Sequence, residues 1–224
     1  TMTQIKTVDY KGNYLGKSKN HLGLAYSFGG GKVTSCQYMV DAVSNLFYGM
    51  PINGYVALNM NAVAMINDAV GGVTVTVAED MTQVDPSFAE GAAVTLTGDQ
   101  ALKFTRYRDT EKDFSNNSRM ERQKQYLVNF MGQAVKAMKA DMGLPVSLYQ
   151  SLTDDMVTNL SLDRSVYLAT EAMDMHFTAD GIVSLKAKSK KGSVYDEVYV
   201  DDDALYDLII QTFYTEEQSE GESK

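Results

Sequence analysis

Two spacings of apolar residues share this chain. Thr1 to Ile5 opens the chain with strand-like alternation of apolar and polar residues. Between Cys36 and Phe47, Met39, Val40, Val43, Leu46 and Phe47 recur at three and four, which marks one face of an amphipathic helix, and Gly49 and Pro51 end it. Gly54 to Asn59 is short and apolar like a buried strand. Val63, Ile66 and Val70 return to helical spacing and stop at Gly71-Gly72. Val73 to Val77 then alternates β-branched residues and is the clearest strand in the sequence.

Further on, Gly91 to Leu96 reads as a turn and a short strand, and Asp99 to Tyr107 as a helix started near Thr97. Ser118 and Glu121 match a capping box, in which the hydroxyl accepts from a free amide while the carboxylate reaches back. That pattern predicts the start of the longest helix, with Tyr126, Leu127, Phe130, Ala134 and Met138 on one side and Gly143 and Pro145 at its end. Thr153 is expected to cap a helix running to about Ala169. Met173 to Phe177 and Tyr195 to Val200 read as strands. Asp201-Asp202-Asp203 opens a helix carrying Leu205, Leu208, Ile209 and Phe213; three carboxylates there complement the helix dipole, and a cap explains them better than a metal cluster.

Beyond Tyr214 the residues are polar and acidic, so Thr215 to Lys224 reads as a disordered tail behind one domain, 1–214. The chain enters at Thr1 directly on strand-like alternation, as though a larger domain were cut within its sheet. Helices interleaved with strands predict an α/β fold of αβα layers, a mixed central sheet flanked by helices on both faces.

Composition narrows the chemistry. The 224 residues carry a formal net charge of -9 and a pI near 4.7, which argues against a general nucleic-acid surface. The single cysteine, Cys36, excludes an internal disulfide framework and a thiolate zinc site, and reads as a small buried residue on a helix. No run approaches the roughly 20 apolar residues of a membrane helix. His21 and His176 lie far apart without metal-ligand spacing. Gly29-Gly30-Gly31-Lys32 lacks both the full phosphate-loop pattern and a preceding strand, and reads as a turn. The 13 methionines and 14 tyrosines have the spacing any core shows.

The arginines are unevenly placed. Of five in the chain, Arg106, Arg108, Arg119 and Arg122 fall within one window of 17 residues. A guanidinium donates two parallel hydrogen bonds to phosphate oxygens and keeps its charge, so four together can hold a polyanion such as pyrophosphate. Arg106 and Arg108 point the same way if the helix from Asp99 unwinds there. Arg119 and Arg122 are one helical turn apart, in what should be the first turn of the long helix, where the dipole disfavours cations and free amides would assist an anion. The alternative is a set of surface ion pairs with Asp109, Glu111, Asp113 and Glu121.

The run Gly98-Asp99-Gln100-Ala101-Leu102-Lys103-Phe104-Thr105-Arg106-Tyr107-Arg108, followed by Arg119-Met120-Glu121-Arg122-Gln123, resembles the signature of the LytR-CpsA-Psr family. Tyr55 to Asn59, Gly71 to Val75 and the Gly91 to Leu96 turn fall in that family's order and spacing. The likeness is good over Thr1 to Phe130 and less distinctive beyond, ending in Thr212-Phe213-Tyr214.

What the resemblance implies is a central mixed sheet between helices, a hydrophobic tunnel for a polyprenyl chain, and an arginine-lined mouth. Arg106, Arg108, Arg119 and Arg122 would be the catalytic and substrate-gripping residues, with Gln123 orienting them. The implied chemistry is Mg2+-assisted transfer of a glycopolymer (a teichoic acid or capsule) from a polyprenyl-pyrophosphate-linked precursor to peptidoglycan or another cell-wall glycan acceptor. It would take place on the extracytoplasmic face of the cell membrane, with an N-terminal membrane helix as anchor. Two positions depart from the pattern. Asn116 stands where the family usually has an acidic residue, with Asp113 nearby, and the family's magnesium-binding aspartates match positions upstream of Thr1, so no metal ligand is expected within this chain. The alternative of another class is a noncatalytic module that holds a polyprenyl-phosphate lipid, or an interaction domain of the kind once described as a transcription attenuator.

Overall fold

The structure, a computed structural model, describes residues 1–9, 11–109, 115–192 and 196–214, with the side chains of Ser115, Asn116 and Asp196 outside that set. The expected tail, Thr215 to Lys224, lies outside the described residues. In chain order the first half holds β1 (Met2–Val8), β2 (Tyr14–His21), α1 (Leu24–Phe28), α2 (Lys32–Leu46), β3 (Val56–Leu58), α3 (Met60–Ala69), β4 (Val73–Thr76), β5 (Ala93–Leu96) and α4 (Gly98–Arg106). The second half holds α5 (Ser115–Ala140), α6 (Leu144–Ser151), β6 (Met156–Thr158), α7 (Leu162–Ala172), β7 (Ala187–Lys191), β8 (Asp196–Val200) and α8 (Asp202–Phe213). These residues gather into two compact units, Val56–Val183 and the remainder on either side of it.

The interleaved α/β composition matches the expectation. The sheet does not take the expected form: among the described residues the strands pair as four antiparallel ladders of two, β1–β2, β3–β6, β4–β5 and β7–β8, in place of one mixed sheet. Burial explains why such pairs suffice. A parallel sheet needs cover on both faces, whereas an antiparallel pair can leave one face in water. In β4, Val73 and Val75 are buried while Thr74 and Thr76 are exposed, so only one face is covered.

Within Val56–Val183 the core is Val70, Val73, Val75, Val77, Met81, Phe88, Leu96, Ala101 and Phe104. Phe88 and Phe104 meet edge to face with ring centroids 5.7 Å apart. Tyr126, Phe130, Ala134 and Ala137 of α5 pack against this core. Leu127, expected on that stripe, is 48% exposed. Gly72, at φ 86°, lets the chain turn from α3 into β4; a Cβ there would lie 2.9 Å from the Leu96 carbonyl oxygen. The buried Asn67 donates to that same oxygen at 2.8 Å.

Three further sequence expectations need correction. Ser118 does not start the long helix, which already runs from Ser115. Thr153 caps no helix. Its hydroxyl donates to the Gln150 carbonyl at 2.8 Å, closing α6, after which β6 intervenes and Ser161 caps α7 by accepting from the Arg164 amide. Met173 to Phe177 forms no strand, because no ladder partner reaches it among the described residues.

In the other unit, Ile5, Ala25 and Ala42 form a small core with Leu22, Phe28 and Met39. Cys36 is buried on α2, as expected. The triple glycine is the corner between α1 and α2: a Cβ on Gly29 would lie 2.3 Å from Ser35 Cα, and Gly31 donates its amide to Ser35 Oγ at 2.7 Å. Asp201 caps α8 by accepting from the Ala204 amide at 3.2 Å.

Candidate functional site

The arginine window lies where α4 ends and α5 runs past it. Thr97 precedes α4, and its amide donates to Gln100 Oε1 at 3.0 Å, the return half of a capping box. The helix ends at Arg106, and Tyr107 takes extended backbone, φ -52° and ψ 134°. The helix thus stops one residue short of the expected Tyr107, the condition for Arg106 and Arg108 to share a direction is met in the backbone, and both side chains are exposed on either side of Tyr107.

The carbonyls at the end of a helix have no partner within it. Here two consecutive residues of α5 supply the donors. Arg122 Nε donates to the Phe104 carbonyl at 3.0 Å and its Nη2 to the Tyr107 carbonyl, while Gln123 Nε2 donates to the Thr105 carbonyl at 3.0 Å. Arg122 also donates through Nη1 to Glu79 Oε1 at 2.6 Å and lies 5.7 Å from the centre of the Tyr107 ring. The Tyr107 hydroxyl accepts from Gln83 Nε2 at 3.0 Å. Tyr107 is thus held at its carbonyl, its ring and its hydroxyl, and the two exposed arginines leave from a fixed residue.

This geometry revises the electrostatic reading of Arg122. It lies beyond the first turn of α5, and its charge sits at the C-terminal end of α4, where the dipole favours a cation. Burial lowers the guanidinium from its ordinary value, Glu79 opposes that, and the nearby charge of Arg119 adds to the lowering. Arg119 is half-buried, with its Nε enclosed away from any acceptor while the residue is engaged elsewhere. Glu111 and Asp113 lie outside the described residues, as does the side chain of Asn116. The carboxylate that pairs with Arg122 is none of those nearest in sequence.

Glu79, Gln83 and Tyr107 were not singled out from the sequence. Tyr107 lies between the two arginines and is the one a local signal could have marked. Glu79 is 43 residues from Arg122, and nothing local to it announces the pair.

Among the described residues no group of three or more His, Cys, Asp or Glu side chains could hold a metal ion, and Glu79 is taken by Arg122. The described residues do not by themselves fit the magnesium that the resemblance implies. Nor, among them, is any helix long and apolar enough to cross a membrane.

The LytR_cpsA_psr family profile matches residues 1–210. This chain belongs to that family. Among curated members, the polyisoprenyl-teichoic acid–peptidoglycan teichoic acid transferase TagU of Halalkalibacterium halodurans is 32% identical over 141 residues, 62% of this chain and 43% of that protein. TagU of Bacillus cereus is 43% identical over 108 residues, 47% of this chain and 33% of that protein. The chain therefore matches less than half the length of these LytR_cpsA_psr relatives. Of solved structures, B. subtilis TagV aligns with a TM-score of 0.65 at 23% identity, covering 96% of this chain and 81% of that one. A structure of TagT bound to LIIa-WTA aligns with a TM-score of 0.65 at 18% identity, covering 87% and 70%. These likenesses establish the family fold.

Proposed function

We propose that this chain is part of the catalytic domain of a transferase that moves a glycopolymer from a polyprenyl-pyrophosphate-linked precursor to peptidoglycan or another cell-wall glycan, on the extracytoplasmic face of the membrane. The observation that supports the reading is the joint between α4 and α5, where Arg122 and Gln123 hold the carbonyls of Phe104, Thr105 and Tyr107 and so fix the residue between Arg106 and Arg108. Family membership and the names of the TagU relatives supply the substrate class.

In this reading Arg106, Arg108 and Arg119 grip the pyrophosphate, with Arg122 and Gln123 at their base. The acceptor hydroxyl attacks the glycosyl-bearing phosphorus. The bond from that phosphorus to the bridging oxygen breaks, and polyprenyl phosphate leaves with the oxygen, the hydroxyl proton passing to the leaving phosphate or to water. Negative charge grows on the bridging oxygen as the bond breaks, and guanidinium groups held in advance stabilise that charge more than the ground state.

Binding of a polyprenyl pyrophosphate and glycopolymer transfer, measured with Arg106→Ala and Arg119→Ala beside the unaltered protein, test the proposal. Loss of both in each variant supports it. Equal binding by all three proteins sinks the arginine site, and arginine-dependent binding without transfer moves the reading to a lipid-holding module.

A further inference from the structure

The unit that contains β1, β2, β7 and β8 carries a second concentration of positive charge. Cross-strand partners in an antiparallel ladder share a face. In β1–β2, Gln4 faces Lys19 and Lys6 faces Lys17, while Ile5, opposite Ser18, enters the core. Lys17 and Lys19 therefore stand on the outer face, and both are exposed. In β7–β8, Lys188 faces Tyr199 and Lys190 faces Glu197, and both lysines are exposed.

The two ladders meet at Lys19, whose Nζ lies over the Tyr199 ring, 4.9 Å from its centre. Lys19 and Lys188 thus flank the same ring, and Lys17, Lys19, Lys188 and Lys190 form one lysine face. Glu197, opposite Lys190 on this face, accepts from the Tyr199 hydroxyl at 2.6 Å. Lys6, by contrast, is already paired with Asp41, and Lys186 lies 4.0 Å from Asp201.

Four exposed ammonium groups on one face of a chain with net charge -9 are placed against the prevailing sign. Lysines keep an exposed edge strand from pairing, but that role asks nothing of a second ladder. Lysine is also a flexible point charge, suited to a row of anionic groups more than to one bidentate phosphate. Lysines at every second residue repeat about 7 Å apart along a strand.

We infer that this face binds a linear polyanion carrying a phosphodiester in each repeat, the glycopolymer body of the substrate. The inference deepens the proposed function and rests on it for the identity of the polymer. A lipid surface fits less well, since a membrane-lying face sets basic residues beside a continuous apolar fringe, whereas the exposed large apolar residues described on these four strands are Tyr14 and Leu15 at one end of β2, and Ser189 stands between the β7 lysines.

The test is fluorescence anisotropy with labelled poly(glycerol phosphate), on the unaltered protein, on Arg106→Ala and on the fourfold variant Lys17→Gln, Lys19→Gln, Lys188→Gln, Lys190→Gln. Phosphatidylglycerol vesicles form a second arm. The expected result is polymer binding that weakens with salt, survives Arg106→Ala and falls roughly tenfold or more in the fourfold variant, on the scale of counterion release for several charges. Circular dichroism checks that these exposed changes leave the fold intact. Equal polymer binding by the fourfold variant overturns the inference, as does lysine-dependent binding to vesicles alone. A polymer-free polyprenyl pyrophosphate reads the arginine site separately, so failure there removes the proposed function without altering the polymer result.

Discussion

Arg122, 6% exposed, and Glu79, 41% exposed, are joined at 2.6 Å across 43 residues of sequence, and the same guanidinium holds two carbonyls at the end of α4. Removing the arginine strands a carboxylate and two carbonyls together. Arg122→Ala should cost about 2–4 kcal/mol, toward the lower end because Glu79 keeps contact with water. Arg122→Lys should recover only part of this, since an ammonium cannot reproduce the fork. Urea denaturation of both variants checks the order; equal stability of Arg122→Lys and the unaltered protein would contradict it.

Glu79→Gln keeps an acceptor for Arg122 but leaves the buried guanidinium without a counter-charge. The expected loss is about 1–2 kcal/mol, smaller than for Arg122→Ala. A double-mutant cycle over the pair should give a coupling well above zero, and additive losses would show that the ion pair adds nothing.

Tyr126 donates to Asn67 Oδ1 at 3.3 Å, and burial, with Asp68 adding to it, pushes its hydroxyl up to about 12. The folded state therefore keeps this proton where an unfolded tyrosine, near 10, loses it. The contribution is complete below pH 10 and is lost as pH rises from about 10 to 12. An ultraviolet difference titration between the unaltered protein and Tyr126→Phe should reveal one tyrosine titrating near the upper end of that range.

At the corner between α1 and α2, neighbouring glycines should respond differently to alanine. Gly29→Ala meets Ser35 Cα at 2.3 Å and should cost about 1–3 kcal/mol through overpacking. Gly30, at φ 68°, has open space around it, so Gly30→Ala should cost only the roughly 1 kcal/mol of left-handed strain. Thermal unfolding ranks the two, and the reverse order would mean the corner rearranges.

Phe104→Ala removes a fully buried ring from the core that seats α4 and should cost about 3–5 kcal/mol. The same change should loosen the Arg106 and Arg108 arm. Phe104→Leu, retaining most of the volume, should restore both stability and polyprenyl pyrophosphate binding, and a failure to restore binding alone would separate the core from the site.

The elements that could be read from the sequence are those whose cause lies within one turn or one alternation. Val73 to Thr76 forms a strand because its own residues alternate, α4 begins after Thr97 with Gln100 three residues on, and α8 begins at an Asp201 cap. The clustering of arginines was legible too, whereas the unwinding between Arg106 and Arg108 entered only as a condition that the structure then met. What the tertiary structure decided is which strands pair and what each arginine touches. β6 was hidden because its three residues form a strand only against β3, about 100 residues earlier, whereas Met173 to Phe177 has strand-like residues and no ladder partner among the described residues. Arg122 is the sharpest case. Spacing placed it at the start of one helix, where a cation is disfavoured, yet folding set it against the end of another, where the dipole, free carbonyls and Glu79 all favour it.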